Sequence, residues 1–247
     1  MKIAVCYSGQ ERVFGKTFEN HKRIFESFGE VHYFFHFWSP GSVWIDPSQS
    51  TLQNEEELRE FLNKNFINKE IVIQEHLEFL DYGSLKVHQG IFDTDYKFSS
   101  SVHPSGISQL YSIYISNKMK LEYERKNDMV FDCVVRIRSD VFFQNEIDIK
   151  KIDLSVINLI GFGNHANKYF TDNTICDIFA ISNSENMNIY SSVYNNLNRI
   201  IDDNSKGLVR IIQEDIIGYN LRYYGLSPQI CYKNPLIHVE YYREFFG

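Results

Sequence analysis

The apolar run Phe131-Asp132-Cys133-Val134-Val135 leads directly into Arg136-Ile137-Arg138-Ser139-Asp140. Side chains alternate across a strand, so Arg136, Arg138 and, where the strand continues, Asp140 project to one side, and Val135 and Ile137 to the other. Two guanidiniums near the middle of a sheet are costly unless an anion meets them. In one solution they bind phosphates or acidic partners, while Asp140 holds Mg2+ or Mn2+ with a diphosphate on the metal. In the other, Arg136, Arg138, Asp132 and Asp140 neutralise one another in an internal network. Ligands of open α/β sheets bind beyond the carboxyl ends of the strands, and this favours the first.

A second cluster follows the first apolar run, Ile3-Ala4-Val5-Cys6-Tyr7. Tyr7, Ser8, Gln10 and Arg12 fall at that strand's carboxyl end, where Arg12 can pair with a phosphate and Ser8 or Gln10 with a base or ribose. The stretch from Gly9 to Gly15-Lys16-Thr17 imitates a phosphate-binding P-loop. That motif places four residues between its glycines so that consecutive amides wrap one phosphate, and here there are five. Strand, short loop and helix with Lys16 in solvent is the reading that fits. His32 and His36 share one strand face without an evident third ligand and read as packing.

The elements that must position these groups alternate. Strands are expected at 3–7, 31–37, 71–73, 131–138, 156–162 and 175–181, with short ones near Ile230 and Ile237. Helices are expected at 15–28, from Asn54-Glu55-Glu56-Glu57 to about Asn65, from Ser105 to about Lys126, from a Ser184 cap to about Asn196, and over 209–224 before Gly225. Residues 78–104 read as loop. In the long helix, Ile107, Leu110, Tyr111, Tyr114, Ile115 and Met119 recur on one face. This order predicts an α/β fold whose sheet is mostly parallel in its first half.

Composition narrows the function. The chain has 25 Lys+Arg against 32 Asp+Glu in 247 residues, a net charge of −7, which argues against a nucleic-acid partner. It leaves room for one small anion in a local basic pocket. Hydrophobic residues at 43% give a globular core without need of staples. Cys6, Cys133, Cys176 and Cys231 sit in apolar runs with no C-x-x-C pair and read as reduced core thiols. With no signal peptide and no transmembrane run, a cytoplasmic protein is expected.

IAVCYSGQERVF, HYFFHFW and FDCVVRIRSDVFF together resemble the GT-A-type glycosyltransferase-like proteins of lipopolysaccharide and capsule clusters and of large DNA viruses, including the WavE-like group. The resemblance is best over the first 145 residues. It implies a nucleotide-sugar donor, a divalent metal (manganese or magnesium) and a GT-A fold with a mixed, mostly parallel sheet flanked by helices. Residues 1–145 would bind the donor and 146–247 would shape the acceptor site of a single domain. In that family type the strand-end acid belongs to an Asp-x-Asp motif. Here Arg138 stands at the first acidic position and only Asp140 matches.

By the same resemblance, Gln109, Ser112 and Lys118 on the long helix lie beside the donor. Asp215 in Gln213-Glu214-Asp215 is the general base, and His238 is a metal ligand. Asp177 can bind an acceptor hydroxyl, Asp172 lies nearby, and the rings of Tyr96, Tyr169 and Phe170 can stack on sugars. The expected function is transfer of a sugar from a nucleotide sugar to a glycan or glycoconjugate, in surface polysaccharide or glycoprotein glycan assembly. A catalytically silent nucleotide-sugar or glycan-binding module is the alternative, and a P-loop-like kinase or sulfotransferase a third.

Overall fold

The computed structural model describes residues 1–41, 51–76, 104–160, 175–204, 213–227, 229–231 and 239–241. The first half runs β1 Lys2–Gly9, α1 Phe14–Glu26, β2 Glu30–Trp38, α2 Glu55–Asn65, β3 Lys69–Gln74, α3 Pro104–Lys126, β4 Cys133–Ile137 and β5 Val141–Phe143. The second runs β6 Asn158–Ile160, β7 Phe179–Ser182, α4 Ser184–Ser191, α5 Leu197–Asn204, α6 Gln213–Tyr223, β8 Gln229–Cys231 and β9 Val239–Tyr241. Seven strands make one mixed sheet in the order β3-β2-β1-β4-β7-β6-β8, and β5 pairs with β9 in a separate ribbon. From β3 to β4 every pairing is parallel. Strand β7 runs against both its neighbours, β4 and β6, and β6 and β8 are again parallel.

The α/β expectation therefore holds, with a mixed sheet between helical layers. One face packs Ile3, Val5, Tyr7, Phe35, Phe37, Val135 and Ile137 against Phe14, Ile24 and Phe25 of α1 and Leu58 and Leu62 of α2. The other packs Ala4, Cys6, Phe34 and Val134 beneath α3, α4 and α6. The two lists alternate along β1 and β4, so both strands are buried on both faces, as continuous apolar runs require. Cys6, Cys133 and Cys176 are buried, and burial pushes each thiol up to about 12.

Local chemistry sets the helix ends. The Asn54 side chain accepts the Glu57 amide at 2.9 Å, which occupies an amide that α2 leaves unpaired, and Glu57 accepts the Gln53 amide at 2.7 Å, which ties the preceding residue to the first turn. After α6 the chain turns through Gly225 at φ 77, and Gly225 and Leu226 donate back to Arg222 and Leu221. This left-handed stop is easy for glycine. The cap of α4 is Asn183, whose side chain accepts the Asn186 amide, and not Ser184. The α-helix gives way at Ser191 to a 3-10 turn, Ser192–Asn196, and then to α5. The run expected at 131–138 stops at Ile137, and the last ribbon strand is described at Val239–Tyr241.

Helix α3 departs most from its sequence pattern. It buries Ile107, Leu110 and Ile113, and also Ser108, Ser112, Ser116, Lys120 and Glu124, a polar row at steps of four. Lys120 Nζ donates to Glu124 Oε2 at 3.0 Å, Ser184 Oγ at 2.6 Å and Asn188 Oδ1 at 2.7 Å. Its three protons thus meet three acceptors, which is what allows an ammonium to be buried. Burial still pulls its pKa down, against the Glu124 charge that holds it up. Lys118 and Glu122 have the same spacing but are exposed and 3.9 Å apart. Lys120→Ala is therefore expected to cost about 3 kcal/mol in urea unfolding by stranding Glu124, while Lys118→Ala leaves the midpoint where it is.

Candidate functional site

The carboxyl ends of β1 and β4 lie side by side, with Cys6 opposite Arg136 and Tyr7 opposite Ile137. Arg136 is thus on the α3 face of the sheet, beside Cys6 and Ser8 of β1. It is 1% exposed, the largest fully buried side chain among the described residues. Its Nε donates to Ser8 Oγ at 3.0 Å. Its Nη1 and Nη2 are buried and have no hydrogen-bond partner among the described residues. The Tyr190 hydroxyl is in the same condition, and Arg136 is close enough to hold down a Tyr190 pKa that burial raises. Asp177 acts on Tyr190 in the opposite sense and is itself buried, with Gln109 Nε2 donating to its Oδ2.

The second half of the motif behaves differently. Because β4 ends at Ile137, residues 138–140 turn toward β5 and do not continue the alternation. Arg138 Nε and Nη2 donate to Asp140 Oδ1 and Oδ2 at 3.0 and 2.7 Å. Arg12 Nη1 lies 3.3 Å from Asp140 Oδ2. Asp140 is fully buried in this clamp. The expected three-residue cluster therefore divides: Arg136 faces Ser8, and Asp140 faces Arg138 and Arg12. Asp132 stands apart and accepts the Lys2 amide at 2.7 Å.

The carboxyl end of β1 and the loop after it place Ser8 and Arg12 at this edge, but not Tyr7. Tyr7 points to the opposite face, where its hydroxyl meets His21 Nδ1 at 3.0 Å under α1. The Gln10 carbonyl accepts from Ser139 Oγ at 2.5 Å, while Gln10 Oε1 is buried without a partner. Arg12 adopts a left-handed φ of 49. Its carbonyl and the Glu11 carboxylate both accept from Thr51, which straps the loop. No P-loop forms here. The Phe14, Gly15 and Lys16 amides already donate to Glu11 O, Thr51 Oγ1 and Val13 O, so they cannot wrap a phosphate. A Cβ on Gly15 would sit 2.9 Å from Thr51 Oγ1. Gly15→Ala is accordingly expected to lower stability by about 1 kcal/mol in urea unfolding, and Thr51→Ala to reduce that penalty in the double variant.

Helix α3 contributes Gln109 and Ser112 to this edge. Ser112 Oγ accepts the Gly9 amide at 2.6 Å and meets His36 Nδ1 at 2.6 Å. Lys118 lies on the solvent side of α3 with Glu122 and not beside the site. Asp215 is fully buried in the first turn of α6. The Ile175 amide donates to the Glu214 carbonyl at 3.4 Å, which brings the segments carrying Asp177 and Asp215 together. His238, Asp172, Tyr96, Tyr169 and Phe170 lie outside the described residues.

No protein-family model matches the chain, and no curated protein matches it. The site is therefore read from its own chemistry.

The donor set does not suit a divalent metal. Among the described residues no group of three His, Cys, Asp or Glu side chains could hold one. Asp140, the expected ligand, has both oxygens turned to guanidiniums. Sequence reasoning missed Tyr190 and the inward turn of Ser112. A tyrosine in a helix carries no local signal of what its hydroxyl will face. Among the described residues no helix is long and apolar enough to cross a membrane.

Proposed function

We propose that this protein is a GT-A-like glycosyltransferase that binds a nucleotide sugar at the carboxyl edge of β1 and β4. The observation that carries the reading is Arg136, a buried guanidinium with both terminal nitrogens unpartnered at the sheet edge where α/β proteins take ligands. An anion with several oxygens satisfies it, and a diphosphate is such a group. The mixed, mostly parallel sheet between helical layers supports the same reading, as does the resemblance of the strand-end segments.

In this account Arg136 meets the diphosphate, fixed by Ser8 at Nε and offering Nη1 and Nη2. An acceptor hydroxyl oxygen attacks the anomeric carbon, the carbon–oxygen bond to the diphosphate breaks, and the nucleoside diphosphate leaves with the electron pair. Arg136 stabilises the charge that develops on it. Asp215 takes the acceptor proton, and Asp177, oriented by Gln109, positions the acceptor. The test is nucleoside diphosphate released from a panel of nucleotide sugars, with and without glycan acceptors. Acceptor-stimulated release is expected. Binding of the nucleotide sugar without any release would favour the silent binding module, for which Arg138 in place of an acid speaks.

A further inference from the structure

The clamp on Asp140 deepens that reading, on which it rests. Asp140 is fully buried, whereas the side chains of Arg138 and Arg12 that hold it are 16% and 22% exposed. A cation approaching from solvent meets two guanidiniums before the carboxylate. The clamp sets two guanidiniums against the carboxylate, and a nearby positive charge disfavours a further cation at that carboxylate.

Both loops are built to hold it so. The β4–β5 turn is tied to the β1–α1 loop by Ser139 Oγ donating to Gln10 O and by Thr17 Oγ1 donating to Ser139 O, each at 2.5 Å. Arg138 N donates to Ile178 O at 3.0 Å. Arg12 keeps its left-handed backbone under the Thr51 strap, a conformation that costs on the order of 1 kcal/mol and persists only where the surroundings impose it. What these contacts fix is a guanidinium pair in the loops that follow β1 and β4, with Arg136 and its two terminal nitrogens, unpartnered among the described residues, near the end of β4.

We propose that the donor diphosphate is bound without a divalent cation, its charge met by Arg136 and Arg12, and that Asp140 is a positioning residue that holds Arg12 and Arg138. In this site guanidinium charge stands where the resemblance places a metal.

The experiment is a calorimetric titration of UDP, GDP, dTDP and ADP into the whole chain, once in EDTA and once in Mn2+. One of them is expected to bind in EDTA with an affinity within about threefold of that in Mn2+, and Arg12→Gln to weaken it about tenfold in both, the value of one charge-assisted contact. Binding confined to Mn2+ and unaffected by Arg12→Gln would overturn the inference and leave the nucleotide-sugar reading intact. Binding to neither preparation would overturn that reading, and this inference with it. The metal arms use the unaltered protein, so the result does not depend on an Asp140 variant folding.

Discussion

Arg136→Met is expected to make the protein more stable and to abolish nucleoside-diphosphate binding. The two effects have one cause. Arg136 is buried with a single described hydrogen bond, Nε to Ser8, and two terminal nitrogens with no hydrogen-bond partner among the described residues. An ionised group taken out of water without partners costs several kcal/mol, and replacing buried charge by an apolar side chain of similar length is often stabilising by 1–4 kcal/mol. For a chain of this size that raises the melting temperature by roughly 2–4 °C per kcal/mol. Among the described residues the hydrogen bond lost is the one to Ser8 Oγ. On the proposed reading Arg136 meets the diphosphate, so the stabilised variant is expected to show no nucleotide-dependent rise in melting temperature and the unaltered protein is expected to show one. If the variant melts lower and still binds, Arg136 is a structural residue.

The second large effect is acid sensitivity. Burial pushes His21 and His36 down to about 4, from an ordinary 6.5. His21 lies buried between the Tyr7 hydroxyl and the Val141 carbonyl, which is 2.6 Å from Nε2, and burial outweighs the pull of that carbonyl toward the charged ring. In the unfolded chain both imidazoles titrate near 6.5. Between those values the unfolded state binds protons that the folded state refuses, so stability is full above about pH 6.5 and is lost as pH falls toward 4. Two such groups give a slope near 3 kcal/mol per pH unit and on the order of 6 kcal/mol over the window, a large share of a typical domain's stability. His32 and His76 are shifted the same way by burial and add to it. Urea midpoints measured from pH 7.5 to 4.5 should fall steeply below pH 6.5. A flat series would show that these histidines are not buried as neutral groups.

Much of the architecture was legible in the residues. Ile3-Ala4-Val5-Cys6-Tyr7 and Cys133-Val134-Val135 announced strands buried on both faces, because no polar side chain interrupts them. Asn54 with Glu57 announced the start of α2, because the capping contacts are local. What failed depended on contacts between distant segments. The buried row Ser108-Ser112-Ser116-Lys120-Glu124 looks solvated until Ser184 and Asn188 arrive from α4 to pair with Lys120. Tyr7 lies on the α1 face, because strand alternation sends it opposite to Ser8. The motif Arg136-x-Arg138-x-Asp140 was found as a unit, but its division was not, because a strand's last residue is set by its neighbours. Strand β4 stops at Ile137, and the next three residues turn toward Arg12.

A crystal structure with the tightest-binding nucleoside diphosphate puts the central claim to the most direct test. The account predicts phosphate oxygens within about 3 Å of Arg136 Nη1 and Nη2, with Ser8 still on Nε. A diphosphate bound elsewhere on the molecule, with the Arg136 nitrogens still unpartnered or turned to protein acceptors, would contradict it.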